Sequence, residues 1–229
     1  MRELIRLENI YKSYRTKNGS VPVLENISLT INEGEFVAIT GKSGSGKSSL
    51  MNIIGCLDKA DSGNYIFDGV LINSLPEKEI TKIRSRRIGF VFQNFNLIPS
   101  MNAVENVSLP LMYRGIKRKE RESAAAEALD MVGLTHRMYH RPGEMSGGQQ
   151  QRTAIARAVA ASPSLLLCDE PTGSLDQASG EDVLSVIRKM NDNGVTVVMI
   201  THDREIASNA KRCISVADGR IARQEYLIK

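Results

Sequence analysis

EFVAITGKSGSGKSSL, Glu35 to Leu50, sets a short apolar run against a loop of glycine, serine and lysine. The run EFVAIT is brief and carries β-branched residues, which predicts a buried strand. The loop GKSGSGKS, Gly41 to Ser48, fits G-x-x-x-x-G-K-[ST] at every position, and a helix is predicted after it from about Lys47 to Leu57. Strand, glycine-rich loop and helix in that order predict a cradle for nucleotide phosphates. Backbone N–H groups curve around phosphate oxygens, Lys47 reaches the β and γ phosphates, and the Ser48 hydroxyl is a Mg²⁺ ligand. The candidate set is Gly41, Ser43, Gly44, Ser45, Gly46, Lys47, Ser48 and Ser49.

A magnesium nucleotide needs an acidic partner at the end of a neighbouring strand. SLLLCDEP supplies one: a fully apolar run, then Asp169 as the metal-holding carboxylate and Glu170 as the group that polarises an attacking water. Two more strand-like runs end on polar residues, IGFVF before Gln93 and VTVVMIT before His202. In an open α/β sheet such ends gather around the ligand crevice. Gln93 is therefore expected to sense metal and water, and His202 to meet the γ-phosphate.

The remaining pattern surrounds this core. IRLENIYKSY and VPVLENISLTI read as antiparallel strands, GNYIFDGVLI as a further hairpin arm, and RCISVAD with RIARQE as a terminal hairpin around Gly219. From about Asn94 to Ala161 helix-like sequence dominates, and QASGEDVLSVIRKMNDNG is a helix closing on Gly194. The stretch GEMSGGQQQRTAIARA opens another helix with small residues before it, a second place for an anion, this one without a lysine.

Composition narrows the class. The 229 residues are 41% hydrophobic and 24% charged, as in an ordinary globular protein, and 30 cations against 26 anions give a formal charge of +4. That near balance gives no footprint for nucleic acid, so none is expected as a partner. Cys56, Cys168 and Cys213 are widely spaced among apolar residues, which predicts buried thiols in a reducing compartment. The start MRELIRLENIY has no apolar signal core and no run approaches membrane-spanning length, so a cytoplasmic location is expected.

With GKSGSGKSS (Walker A), VFQ (Q-loop), MSGGQ (signature), LLLCDE (Walker B), GSLD (D-loop) and THD (switch) in one order, the chain closely resembles the nucleotide-binding subunit of ATP-binding cassette (ABC) transporters over essentially its whole length. It departs from the family's pattern at Met145, where Leu is usual; the two have similar apolar shapes. The resemblance implies an α/β fold: a P-loop NTPase (RecA-like) core with an antiparallel β subdomain and an inserted α-helical subdomain. It implies one nucleotide-binding domain over 1–229, with the core and β subdomain at about 1–93 and 162–229 and the helical subdomain at about 94–161.

It also implies an ATPase with ATP and Mg²⁺ as cofactors, acting as an ATP-dependent homodimer that sandwiches two nucleotides head to tail. Tyr14 would stack on adenine. Ser146, Gly147, Gly148 and Gln149 would meet the γ-phosphate held by the opposing chain, where Lys47 already provides the charge, and Asp176 would help couple the two sites. Metal ligation would fall to Ser48, Gln93 and Asp169. An integral membrane permease would dock near the Q-loop and helical subdomain, at NFNLIPSMNAVENVSLPLMYRG, placing the subunit peripherally on the inner face of the cell membrane. FQNFNLIP, ENVSLPLMYRG and IIGCLDKADSG are similar to the branch exporting macrolides, lipoproteins and antimicrobial peptides. The alternative is a regulatory ABC ATPase signalling through a membrane partner to cell-envelope or division machinery. Soluble ABC proteins of DNA repair or translation carry long insertions or paired cassettes that this chain does not show.

Overall fold

The computed structural model describes residues 2–17 and 19–227. In chain order the elements are β1 (Glu3–Thr16), β2 (Gly19–Asn32), β3 (Phe36–Thr40), α1 (Lys47–Ile54), β4 (Ser62–Phe67), β5 (Val70–Leu71), α2 (Glu77–Arg87) and β6 (Ile88–Phe92). There follow α3 (Ala103–Tyr113), α4 (Arg118–Met131), α5 (Gly147–Val159), β7 (Leu165–Asp169), α6 (Gln177–Asp192), β8 (Thr196–Ile200), α7 (Arg204–Ala207), β9 (Arg212–Ala217) and β10 (Arg220–Tyr226). This is an α/β fold with a mixed sheet and an antiparallel β subdomain. The chain divides into two compact units, Met1–Arg84 with Thr196–Lys229, and Ser85–Val195. The helical segment expected at 94–161 lies inside the second, which also holds β6, β7 and α6.

In the first unit the antiparallel sheet runs β2-β1-β4-β5. Alternation explains it: Ile27, Leu29 and Ile31 turn inward from β2, and Ile5 and Leu7 from β1. The alternation breaks where register shifts follow Leu7, and there Asn9 and Asn26 take φ of 50° and 56° and bond to each other through Nδ2 and Oδ1 at 2.7 Å. Beside this sheet of the same unit runs the row β10-β9-β3-β8, with β3 parallel to β8 and β9 and only β10 antiparallel. Val37, Ala38 and Ile39 of β3 and Val197 and Val198 of β8 are fully buried, as expected of strands covered on both faces.

The predicted helix after the glycine-rich loop is shorter than its sequence suggests. It stops at Ile54, because Gly55 caps it and Cys56 turns left-handed at φ 55°, letting the Leu57 N–H fold back to the Asn52 carbonyl. Gly194, expected to close the long helix, sits just past the Asn193 cap of α6 at φ 94°.

The second unit packs α3, α4, α5 and α6 around Val107, Leu111, Leu129 and Ile155, and lays α5 against β6. Its strands β6 and β7 pair in parallel from Ile88↔Leu165 to Phe92↔Asp169. The cysteines are free, two of them buried. Burial pushes the Cys56 thiol up to about 11 against the opposing bond with Tyr65, and pushes Cys168 up as well. Among the described residues no helix is long and apolar enough to cross a membrane.

Candidate functional site: two helix N-termini and the ends of four strands

The glycine-rich loop leaves β3 at Thr40 and enters α1 at Lys47. At Gly41, with φ 152°, a Cβ would stand 2.2 Å from the Val216 carbonyl oxygen; at Gly46, with φ 100°, it would stand 2.7 Å from that of Val23. Only glycine fits either place, so the loop closes against β2 and β9 as bare backbone. Helix α1 then starts without a side-chain cap and with no acidic residue in its first turn. Its first N–H groups have no intrahelical acceptor, and their dipole favours an anion. Lys47 is buried to 9% exposure, its Nζ donating to the carbonyls of Gly41 and Lys42 at 2.8 and 2.7 Å. The buried Ser45 hydroxyl has no hydrogen-bond partner among the described residues. A cradle of backbone donors, one buried cation and one orphaned hydroxyl fits a chain of phosphates. His202 follows the neighbouring strand in the same unit: the Thr201 N–H donates to the Ile39 carbonyl at 3.2 Å, so β3 and β8 deliver the loop and His202 at the same strand ends.

Tyr14 also belongs to this unit. It pairs with Val21, two residues before the Val23 carbonyl that abuts Gly46, so its strand is tied to the phosphate loop. The phenol donates to Asp58 Oδ2 at 2.9 Å, Lys12 Nζ donates to Asp58 Oδ1 at 2.8 Å, and the ammonium stands 5.1 Å from the ring centroid. Burial works to raise the Asp58 pKa, but bonds from Lys12, Tyr14 and the Lys59 N–H outweigh it and hold the carboxyl below its usual range. A depressed carboxylate adds stability above its unfolded value, near 4, and loses it as pH falls through the lower folded value. Asp58→Asn is thus expected to cost about 1 kcal/mol at pH 7, with the gap to the parent closing below about pH 4. Thermal melts across that range check it; a gap constant with pH would remove the carboxylate from the account.

In the second unit, β6 and β7 deliver Gln93 and Glu170 immediately after the paired residues Phe92 and Asp169. Glu170 is held at φ 46°, a left-handed backbone that a non-glycine residue adopts at a cost and that gathers at functional sites. Its carbonyl accepts the Gly173 N–H at 3.0 Å, and Gly173 lies so close to Gln93 that a Cβ there would be 2.9 Å from the amide nitrogen. Ser174 Oγ donates to the Gln93 carbonyl at 2.8 Å. Asp176 caps α6, accepting from the Ser179 N–H at 2.9 Å; that bond, with the Ser179 hydroxyl, draws its pKa down. Gln93, Asp169, Glu170 and the turn to Asp176 are thus gathered in one place.

The signature stretch starts α5 in the same unit. Ser146 Oγ accepts from the Gln149 N–H at 3.3 Å and Gln149 Oε1 accepts from the Ser146 N–H at 3.1 Å, a reciprocal capping box. Gly147 and Gly148 keep N–H groups in the first turn. Met145 fills the Leu-like position before it at 7% exposure, with its sulfur 3.7 Å from Thr153 Oγ1. The segment expected to dock a permease is pinned by fully buried Asn106, whose carboxamide bonds Ile98, Met101 and Asn102. Its residues Val104, Val107 and Leu111 turn inward, while Ile98, Met112 and Tyr113 stay exposed.

Two residues with no motif of their own carry much of this geometry. Asp58 fixes Tyr14, and Gln151, fully buried on α5, donates to the Phe92 and Pro171 carbonyls at 3.1 and 2.6 Å. Gln93 and Asp169 in the second unit offer amide and carboxylate oxygens, and Ser48 in the first offers a hydroxyl, each a hard donor of the kind Mg²⁺ takes.

The chain is similar to known proteins over most of its length. The ABC transporter family profile matches residues 24–173. The ABC transporter ATP-binding protein YknY of Bacillus subtilis is 50% identical over 95% of both chains. The macrolide export ATP-binding/permease protein MacB of Brucella melitensis is 50% identical over 95% of this chain, which spans 34% of MacB. Among solved structures, the dimeric post-hydrolysis state of the ATP-binding cassette MJ0796, bound to ADP and Pi, superimposes with a TM-score of 0.90 at 45% identity, covering 99% of this chain and 100% of that one. MJ0796 is from Methanocaldococcus jannaschii.

Proposed function

The chain belongs to the ABC transporter family of ATP-hydrolysing cassettes, and we propose that it works as a dimer around two MgATP and drives a membrane permease. Lys47 and the backbone of the glycine-rich loop bind the β and γ phosphates, and Tyr14 stacks on the base. Ser48, Gln93 and Asp169 would hold Mg²⁺, which would supply charge neutralisation for the phosphates. Glu170 orients the attacking water and accepts its proton, while His202 contacts the γ-phosphate. The Ser146–Gln149 turn completes the nucleotide site of the opposing chain with uncharged donors and the positive end of α5, and Asp176 stands between the two sites. The γ-phosphate then holds the dimer closed, and its loss lets the dimer open.

The observation that carries this reading is Glu170. It is fixed in a left-handed backbone directly after Asp169, on the strand end beside Gln93. Strain of that kind persists where surrounding structure enforces it.

The helical subdomain, about 94–161, grips the permease through Ile98, Met112 and Tyr113, exposed apolar groups on an otherwise pinned segment. The subunit is then peripheral on the cytoplasmic face of the membrane. The similarity to MacB, whose name joins macrolide export with a permease, supports export of a macrolide-type substrate; lipoprotein and antimicrobial-peptide substrates rest on the resemblance of FQNFNLIP, ENVSLPLMYRG and IIGCLDKADSG alone. Purified protein is expected to release phosphate from MgATP at about 1–10 turnovers per second, the lower part of the usual enzyme range, and to stop when EDTA removes the metal. Co-expression with its permease should raise that rate. Phosphate release unaffected by EDTA would exclude the metal assignment, and no release at all would exclude the hydrolytic one.

A further inference from the structure

The glutamine run at 149–151 contains three chemically identical side chains in three different situations. Gln149 closes the capping box and Gln150 Nε2 donates to the Met145 carbonyl at 3.1 Å, both local to the helix start. Gln151 alone is fully buried and reaches away from its helix. Its Nε2 faces two carbonyl oxygens, Phe92 at 3.1 Å and Pro171 at 2.6 Å. The orientation is fixed by that pair, since the reversed carboxamide would set an oxygen against both acceptors. Phe92 immediately precedes Gln93, and Pro171 immediately follows Glu170.

We propose that Gln151 is a positioning residue for hydrolysis: one carboxamide ties the backbones beside Gln93 and Glu170 to each other and to α5. The inference rests on the roles of Gln93 and Glu170 given above. Arg157 reinforces the far side of the same loop. Its Nη2 donates to the Phe95 carbonyl at 2.8 Å and its Nη1 to the Asn96 carbonyl, two residues held left-handed at φ 54° and 51°. Gln93 is therefore bracketed by bonds from one helix. Gln151 Oε1 is buried and has no hydrogen-bond partner among the described residues. Such an orphaned atom is uncommon in native interiors; a residue that holds two loops in register needs only its donors.

The test is a double-mutant cycle on the full chain in MgATP hydrolysis, with Gln151→Met, Gln93→Ala and both together. Methionine keeps the volume and removes both donors. Gln151→Met is expected to lower kcat about tenfold or more with KM within about twofold, since loop misplacement falls on the chemical step. In the Gln93→Ala background the same substitution should cost at least about threefold less than in the parent, because one of the two groups it positions is gone and only the Glu170 side is left to misplace. Equal losses in both backgrounds, or a loss in KM with kcat intact, would overturn the proposal. If Gln151→Met fails to fold, Gln151→Glu carries the same cycle, and failure of both to fold would make the residue purely structural and overturn it too. An unmodified chain that does not hydrolyse MgATP would instead bring down the underlying reading, which the parent control separates from the cycle.

Discussion

Glu170→Gln is expected to bind MgATP as the parent does and to hydrolyse it at least about a hundredfold more slowly, the lower part of the range for losing a general base. The substitution changes one oxygen to NH₂ and keeps the side chain's length, so the left-handed backbone at φ 46° and the bond from the Gly173 N–H persist. What disappears is the ability to take a proton from water. The nucleotide is then bound but not consumed, and the γ-phosphate that we propose joins the two chains remains. Gel filtration with MgATP should show the variant as a dimer under conditions where the parent returns to monomer. Turnover within about tenfold of the parent would move the base to another residue.

The second large effect concerns the other helix N-terminus. Ser146→Arg should leave ATP binding by the monomer within about twofold and reduce hydrolysis by about a hundredfold or more. Removing the Ser146 hydroxyl takes away the acceptor of the Gln149 N–H, a cap worth about 1 kcal/mol, and a cation at that end opposes the dipole by less than that again. Losses of this size leave a folded protein, which a thermal melt confirms. Monomer binding survives because Lys47 and the glycine-rich loop are built in the first compact unit, from β3 and α1, without Ser146. Hydrolysis should fail because a long side chain would fill the turn that we propose meets the opposing γ-phosphate. Weakened binding to the monomer, measured by fluorescent nucleotide titration at nanomolar protein, would assign Ser146 to its own chain's nucleotide.

Much of this was legible before any coordinates, and the reasons are physical. A phosphate loop is a local object: its glycines, its lysine and the strand before it lie in one stretch from Glu35 to Leu50. Strand ends that carry Gln93, Asp169 and His202 announce themselves because an apolar run stops abruptly at a polar residue. The end of α1 was not legible, since Gly55 and Cys56 interrupt no hydrophobic period and the turn depends on the Cys56 backbone. Nor was Asp58, whose partners Lys12 and Tyr14 come from a strand far earlier in the chain. Gln151 was hidden by its neighbours, because three successive glutamines look alike until helical phase sends one inward.

The bracket that α5 places around Gln93 has an evolutionary consequence. A residue inserted between Gln151 and Arg157 would turn one of them about 100° around the helix and shift it about 1.5 Å along it. One end of the bracket would then point away from its carbonyls whatever residues were chosen, so no substitution elsewhere in the helix restores it. Related sequences should vary in letters across this helix but hold its length constant. Insertions should collect instead at turns such as Gly115 or Gly133, where the chain is left-handed and a side chain would meet nothing within 4 Å.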